Sequence, residues 1–315
     1  MGQIDRIGNG VLSAERIVGG YRLLSPLVDD GWASTHHACH TVVDRQITIT
    51  VIAAEHLAEQ ARSQIINRLR RSAVVHHPHL IRMHDVEDDE QSIFVTMEPV
   101  DGNTLADCVS DDGPIPEDLV YTIIRQLAQA MDCIHRAGMF HHRVCPRSVL
   151  LNADGDVKVL NFGIAFIDSF APKGACQSAA TINGDARDCI GPELRFDSPS
   201  NRIIQDDMFA IGRVAQFLLT GNSTGDISNC IDSAWHGLLP RMVAQSPSHR
   251  FASMAQLIEQ LDIDFGRQPS TDAAPLKEAV SIYSADSAAD PAIGPPSASF
   301  WRNVGKRCLK AFGML

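Results

Sequence analysis

Residues 141–165 read HHRVCPRSVLLNADGDVKVLNFGIA. VLL at 149–151 and VKVL at 157–160 are short apolar runs, and the polar segment between them predicts a hairpin turned at Ala153–Asp156. Polar residues precede the hairpin at 141–148, and Asn161 follows it. The apolar frame specifies a local fold. What those polar groups can do chemically decides what the fold is for.

Upstream, the chain is β-like from Tyr21. YRLLSPLV, STHHACHTV and RQITITVIA read as strands, and ITITVI is short and rich in β-branched residues. Residues 55–75 carry Leu57, Ile65, Ile66, Leu69 and Ala73 at helical spacing. HHPHLIRMHDV and SIFVTMEPV are two further strand candidates, which predicts a five-stranded sheet with one helix. The composition then turns helical. GNTLADCV is followed by a Gly-Pro turn at 113–114 and by DLVYTIIRQLAQAMDCIHRAG. The latter puts Ile123, Ile124, Leu127, Met131 and Ile134 on one face, with Gly138 as its stop. Residues 166–190 are polar and irregular, and helices are expected again around 206–220 and 252–263. Strands first and helices second make an α+β chain with a hinge near 98–102.

The 315 residues are 44% hydrophobic and 21% charged, as in an ordinary globular protein. The net charge of −11 argues against nonspecific nucleic-acid binding. Eight cysteines are scattered without a CxxC pair, so they read as reduced thiols in a cytoplasmic protein. The adjacent pairs His36–His37, His76–His77 and His141–His142 are poor chelators, because strand neighbours point to opposite faces. No apolar run approaches the roughly 20 residues of a membrane helix.

Taken in order, these segments resemble the eukaryotic-type Ser/Thr protein kinase family, including its bacterial branch, across about residues 21–264. YRLLSPL resembles the strand before the glycine-rich loop, ITITVI the V-A-I-K strand, and HHPHLI the turn after helix C. FVTMEPVDGNTL resembles the hinge strand, with Met97 as gatekeeper and Glu98–Val100 as the adenine-facing edge. GPE at 191–193 resembles A-P-E, DDMFAIG at 206–212 resembles S-D-I-Y-S-L-G, and SPSHRFAS at 246–253 resembles the closing motif. The resemblance implies a bilobal fold, with an N-lobe over 21–98 and a C-lobe over 101–264.

The same resemblance exposes what is missing. A kinase transfers phosphoryl groups by positioning and charge neutralisation. Its loop glycines fall here on Val28, Asp30 and Ala33, with Gly31 as a neighbour. Its phosphate-binding lysine falls on Thr50, and the helix C glutamate on Arg68. The catalytic aspartate falls on Arg143, which cannot accept a proton. The lysine two residues on falls on Cys145, the metal-binding asparagine on Ser148, and the metal-binding aspartate on Asn161, which lacks the charge that Mg²⁺ prefers. The residues that hold the family's shape are present: His141 with Phe162, Gly163, the ion pair Glu193–Arg250, and Asp207 as acceptor for the catalytic loop. The implied protein is a pseudokinase that does not bind Mg-ATP and serves as a scaffold or regulatory module for a protein partner. The alternative is a divergent kinase or other nucleotide-dependent transferase.

Residues 1–20 read as a loose lead-in, and 265–299, rich in Pro, Ala, Ser and Asp, as a disordered linker. Residues 300–315 place Phe300, Trp301, Val304, Cys308, Ala311, Phe312 and Leu315 on one side of a helical projection, opposite Arg302, Lys306 and Lys310. Without the four basic residues of this segment, the remainder of the chain carries −15. A basic amphipathic segment of this kind predicts peripheral attachment to an anionic membrane surface or docking on the acidic body.

Overall fold

A computed structural model describes residues 17–29, 33–54, 57, 59–89, 92–152, 155–162, 187–192, 204–228 and 233–267. The first half builds an antiparallel sheet from β1 (Ile17–Val18), β2 (Tyr21–Asp29), β3 (Ala33–His40), β4 (Gln46–Ala53), β5 (Met83–Asp88) and β6 (Ser92–Met97). The strand order is β1-β2-β3-β4-β6-β5, so the sheet has six strands where five are expected from sequence. The extra strand comes from the expected lead-in. Gly19 and Gly20 both have positive φ, 54° and 82°, as a two-residue type I′ hairpin requires. A Cβ on Gly19 would stand 2.3 Å from the Phe94 ring, so the turn also needs glycine for space.

Strand β4 shows why ITITVI lacks clean alternation. Residues Ile47–Ile52 are all buried, because both faces of the strand are covered. Ile47, Ile49 and Val51 pack outward with Ala38 and Phe94, against Val18, Tyr21 and Leu23. Ile52 points the other way, with Ile93, Val95 and Met97, onto Ile65 and Leu69 of helix α1 (Glu59–Ser72). Thr48 and Thr50 share that inner face by their two-residue spacing.

A second sheet of β7 (Asn103–Thr104), β8 (Val149–Leu151) and β9 (Val157–Val159) carries the hairpin expected from 149–160. It is stitched to the first half. Val159 N–H donates to the His79 carbonyl at 2.9 Å, and Ile81 N–H donates to the Val159 carbonyl at 3.1 Å. Helices α2 (Leu105–Asp112), α3 (Glu117–Arg136), α4 (Ile204–Thr220), α5 (Ser233–Met242) and α6 (Met254–Asp264) complete the second half.

Helix α3 forms its spine. Glu117 and Asp118 sit in the first turn and His135 and Arg136 in the last, both favourable to the helix dipole. Its C-terminus is a Schellman stop: Met139 N–H reaches the Ile134 carbonyl, Gly138 N–H reaches the His135 carbonyl, and Gly138 has φ 68°. Helix α5 has no counterpart in the sequence reading. Pro240 lies inside it and removes the hydrogen bond to the His236 carbonyl, while Gly237 weakens its propensity. Burial of Trp235, Leu238, Leu239 and Met242 overrides both costs. Packing also runs past the expected boundary at 264. Phe265 lies 4.8 Å from the Tyr121 ring and 5.5 Å from that of Trp235, and Arg267 pairs with Asp118 at 3.3 Å.

Asp262 of α6 ties this arrangement to α3. It accepts from Tyr121 Oη at 2.7 Å and from Arg125 Nε and Nη2 at 2.8 and 3.1 Å. Substituting Asp262→Ala strands three donors in a buried site and is expected to cost about 3 kcal/mol in urea unfolding. A loss below about 1 kcal/mol would show that the clamp is dispensable.

Candidate functional site

The site forms where the hairpin, the loop before it and the inner face of the first sheet meet. Asp207, fully buried near the start of α4, organises the loop. Its carboxylate accepts from His141 N–H at 2.9 Å, from His142 N–H at 2.7 Å and from His135 Nε2 at 2.8 Å. Burial by itself would raise the Asp207 pKa. The hydrogen bond from His135 and the electrostatic attraction of the neighbouring His135 and His142 imidazoles outweigh it and hold the carboxyl well below the usual carboxylate range. His142 has φ 68°, a left-handed geometry that this anchoring maintains.

His141 is wholly buried. Its Nε2 donates to the Leu160 carbonyl at 2.8 Å, and its Nδ1 accepts from Arg143 N–H at 3.3 Å. One nitrogen donates and the other accepts, so the ring is neutral, and burial lowers its pKa in the same sense. The ring stacks on Phe162 at 6.3 Å between centroids. The loop thus fixes the backbone next to Asn161, which has φ 60°. Asparagine tolerates this left-handed region better than most residues.

Three neutral side chains cross the cleft at this point. Thr50 of β4 faces Thr35 of β3 in register, with their hydroxyl oxygens 2.9 Å apart, and Thr35 Oγ1 donates to Asn161 Oδ1 at 3.4 Å. Thr50 and Thr35 are 0% and 1% exposed and Asn161 is 6% exposed, so the contact is internal. Ser148 is also engaged. Its hydroxyl accepts from Cys145 N–H at 2.9 Å and lies within 3.0 Å of the Cys145 carbonyl and 3.2 Å of the Arg143 carbonyl. Cys145 is buried. Arg68 of α1 reaches from the first half to the Phe140 carbonyl at 3.2 Å, just ahead of the loop.

Val28 and Ala33, expected from the resemblance at two of the glycine positions, are buried, while Asp30 and Gly31 lie outside the described residues, as do Gly163 and Glu193. Arg250 is buried over the Phe209 ring at 4.8 Å and donates to the Ala244 and Gln205 carbonyls at 2.8 Å each. At the hinge, Met97 and Val100 are buried, and the Glu98 side chain turns away to pair with Lys158 at 2.7 Å. Thr35, His135 and Lys158 therefore join the site without having been expected from sequence. Thr35 stands two residues after Ala33, but only the β3–β4 register reveals that it meets Thr50.

A family model described as "Protein kinase domain" matches residues 31–227. The chain belongs to the protein kinase family. It is 30% identical over 209 residues to the serine/threonine-protein kinase PknB of Mycobacterium leprae, which covers 64% of this chain and 32% of that protein. Identity to the serine/threonine-protein kinase PrkC of Bacillus subtilis is 25% over 242 residues, covering 76% of this chain and 35% of that protein. The chain thus spans about a third of the length of these curated relatives. The crystal structure of the Mycobacterium tuberculosis PknI kinase domain, in a single cysteine-to-alanine mutant, superposes with a TM-score of 0.64 at 20% identity, over 81% of this chain and all of that one. The fold is accordingly the bilobal kinase fold: a curled antiparallel sheet in the N-lobe above a helical C-lobe.

The anchoring by Asp207 has a pH signature. A depressed folded pKa contributes stability that is complete above the unfolded value of about 4 and is lost as pH falls below it. Asp207→Asn is expected to cost about 3 kcal/mol at pH 7, with the gap to the parent narrowing as pH drops below about 4. Urea unfolding at about pH 7, 5 and 3.5 measures it. A gap independent of pH would remove the buried carboxylate from the explanation.

Proposed function

We propose that this kinase-family domain is a pseudokinase: a non-catalytic module that acts through shape and contacts on a protein partner. The observation that carries this reading is the neutral Thr50–Thr35–Asn161 chain in the cleft. Phosphoryl transfer needs a lysine on the phosphates and carboxylate on Mg²⁺. Here a hydroxyl takes the lysine position, and the amide oxygen at the metal position already accepts a hydrogen bond. The Ser148 hydroxyl at the second metal position is engaged with the loop's own backbone. Arg143 adds a cation where a base would have to take a proton. These residues do not fit Mg-ATP.

A divergent nucleotide-dependent enzyme is the competing reading, and one feature favours it. Neither the Glu98 carbonyl nor the Val100 N–H takes part in a hydrogen bond among the described residues, which leaves an adenine-type edge open. The two readings separate on metal dependence. The pseudokinase is expected to show no Mg²⁺-dependent thermal shift at millimolar ATP, whereas a shift of several degrees that requires Mg²⁺ would favour the enzyme.

The proposal extends to location. The domain is cytoplasmic, held at an anionic membrane surface by residues 300–315, which lie outside the described residues. The basic amphipathic pattern supports this. Deleting 300–315 is expected to abolish co-sedimentation with anionic liposomes while leaving the melting temperature unchanged. Equal liposome binding by the truncated and full-length chains would refute the anchor.

A further inference from the structure

On the side of the hinge where the Glu98 carboxylate points lies a cavity of about 320 Å³, lined by Val75, His76, His77, Pro78, Leu80, Arg82, Glu98 and Lys158. Its walls are joined by the hydrogen bonds between His79, Ile81 and Val159 already described. Glu98 N–H also donates to the Arg82 carbonyl at 2.9 Å, and Arg82 N–H to Glu98 Oε1 at 3.2 Å. The cavity is therefore preorganised, which spares a ligand the cost of ordering it.

Its chemistry is one-sided. Val75, Pro78 and Leu80 supply an apolar wall. The charged residues of the lining are Arg82, Lys158 and Glu98, two cations to one carboxylate, and Asp132, whose charge also reaches His77, is paired with Arg136. Lys158 pairs with Glu98, but the Arg82 side chain is exposed and forms no hydrogen bond or ion pair among the described residues. His77 adds a donor. Its Nδ1 accepts from His79 N–H at 3.2 Å, so in the neutral ring the proton sits on Nε2. Burial, with the nearby charges of His79 and Lys158, pushes its pKa down to about 4, so the neutral form prevails at pH 7. In a chain of net charge −11 this is a local electropositive recess.

We propose that this recess docks a glutamate side chain, flanked by aliphatic residues, from an extended segment of a partner protein. The guanidinium of Arg82 takes the carboxylate through charge-assisted hydrogen bonds, and the apolar wall takes the flanking side chains. The Lys158–Glu98 pair demonstrates within the chain that a carboxylate is accommodated here. The volume is at the low end for ligand pockets and suits one or two side chains. This assignment is independent of whether the cleft binds nucleotide.

The test uses the full chain labelled at histidine and the blocked peptide acetyl-Ala-Leu-Glu-Leu-Ala-amide. The His77 ring resonance is assigned with His77→Gln and followed by NMR. A saturable movement is expected, weakened at least about tenfold when glutamine replaces the peptide's glutamate, and lost in Arg82→Glu. Arg82 is exposed, so an unchanged melting temperature shows that the variant is folded. No movement, equal movement with the glutamine peptide, persistence in Arg82→Glu, or equal affinity for free glutarate would each overturn the proposal.

Discussion

A buried carboxylate with three donors governs this domain. Desolvating Asp207 is costly, and the cost is met only while both loop N–H groups and the His135 ring stay in place. The loop therefore cannot relax without leaving an ion stranded in the core. Everything downstream inherits that constraint. The loop sets His141, His141 holds the Leu160 carbonyl, and Leu160 precedes Asn161, whose oxygen receives the Thr35 hydroxyl. The shape of the catalytic region is thus specified by groups that need never touch a nucleotide.

The cleft follows the opposite electrostatic policy. Where the family resemblance implies a lysine paired with a glutamate, Thr50 and Arg68 stand instead, and they do not meet as a pair. Arg68 turns to the Phe140 carbonyl, and Thr50 turns to Thr35. Removing the lysine alone would have left a carboxylate without its counter-ion. With both positions changed, neither charge is stranded. Each neutral hydrogen bond is worth only about 1 kcal/mol net, but a neutral chain also carries no ionic desolvation penalty, so the lobes stay bridged without a bound cation.

Local pattern carried most of the fold in advance. The 149–160 hairpin, helix α3 with its glycine stop and the β-branched run of β4 are each readable within a dozen or two residues. Strand β1 also has a local signal, since Gly19–Gly20 between Ile17–Val18 and Tyr21 is a two-residue hairpin turn. Helix α5 was hidden for a physical reason: Pro240 and Gly237 erase the local preference, and only the buried Trp235 face restores it. Non-local pairings escaped altogether. Thr35 meeting Thr50 depends on register, and Asp262 meeting Tyr121 joins residues far apart in sequence. Motif order supplied the frame in which Thr50, Arg68 and Asn161 were singled out, but the partners that each of them meets were not readable from it.

Backbone and side-chain features carry unequal weight in judging the cleft. The Glu98 carbonyl and Val100 N–H are properties of any hinge that keeps its path, because mutation cannot remove a peptide group. Their availability therefore follows from the fold alone and says little about use. Side chains are free to change, and here Thr50, Arg143, Ser148 and Asn161 all lack the charge or donor set of phosphoryl transfer while Asp207, His141 and Arg250 hold their structural contacts. A domain selected for nucleotide chemistry would have to keep both sets. A domain selected for its surface would need only the second.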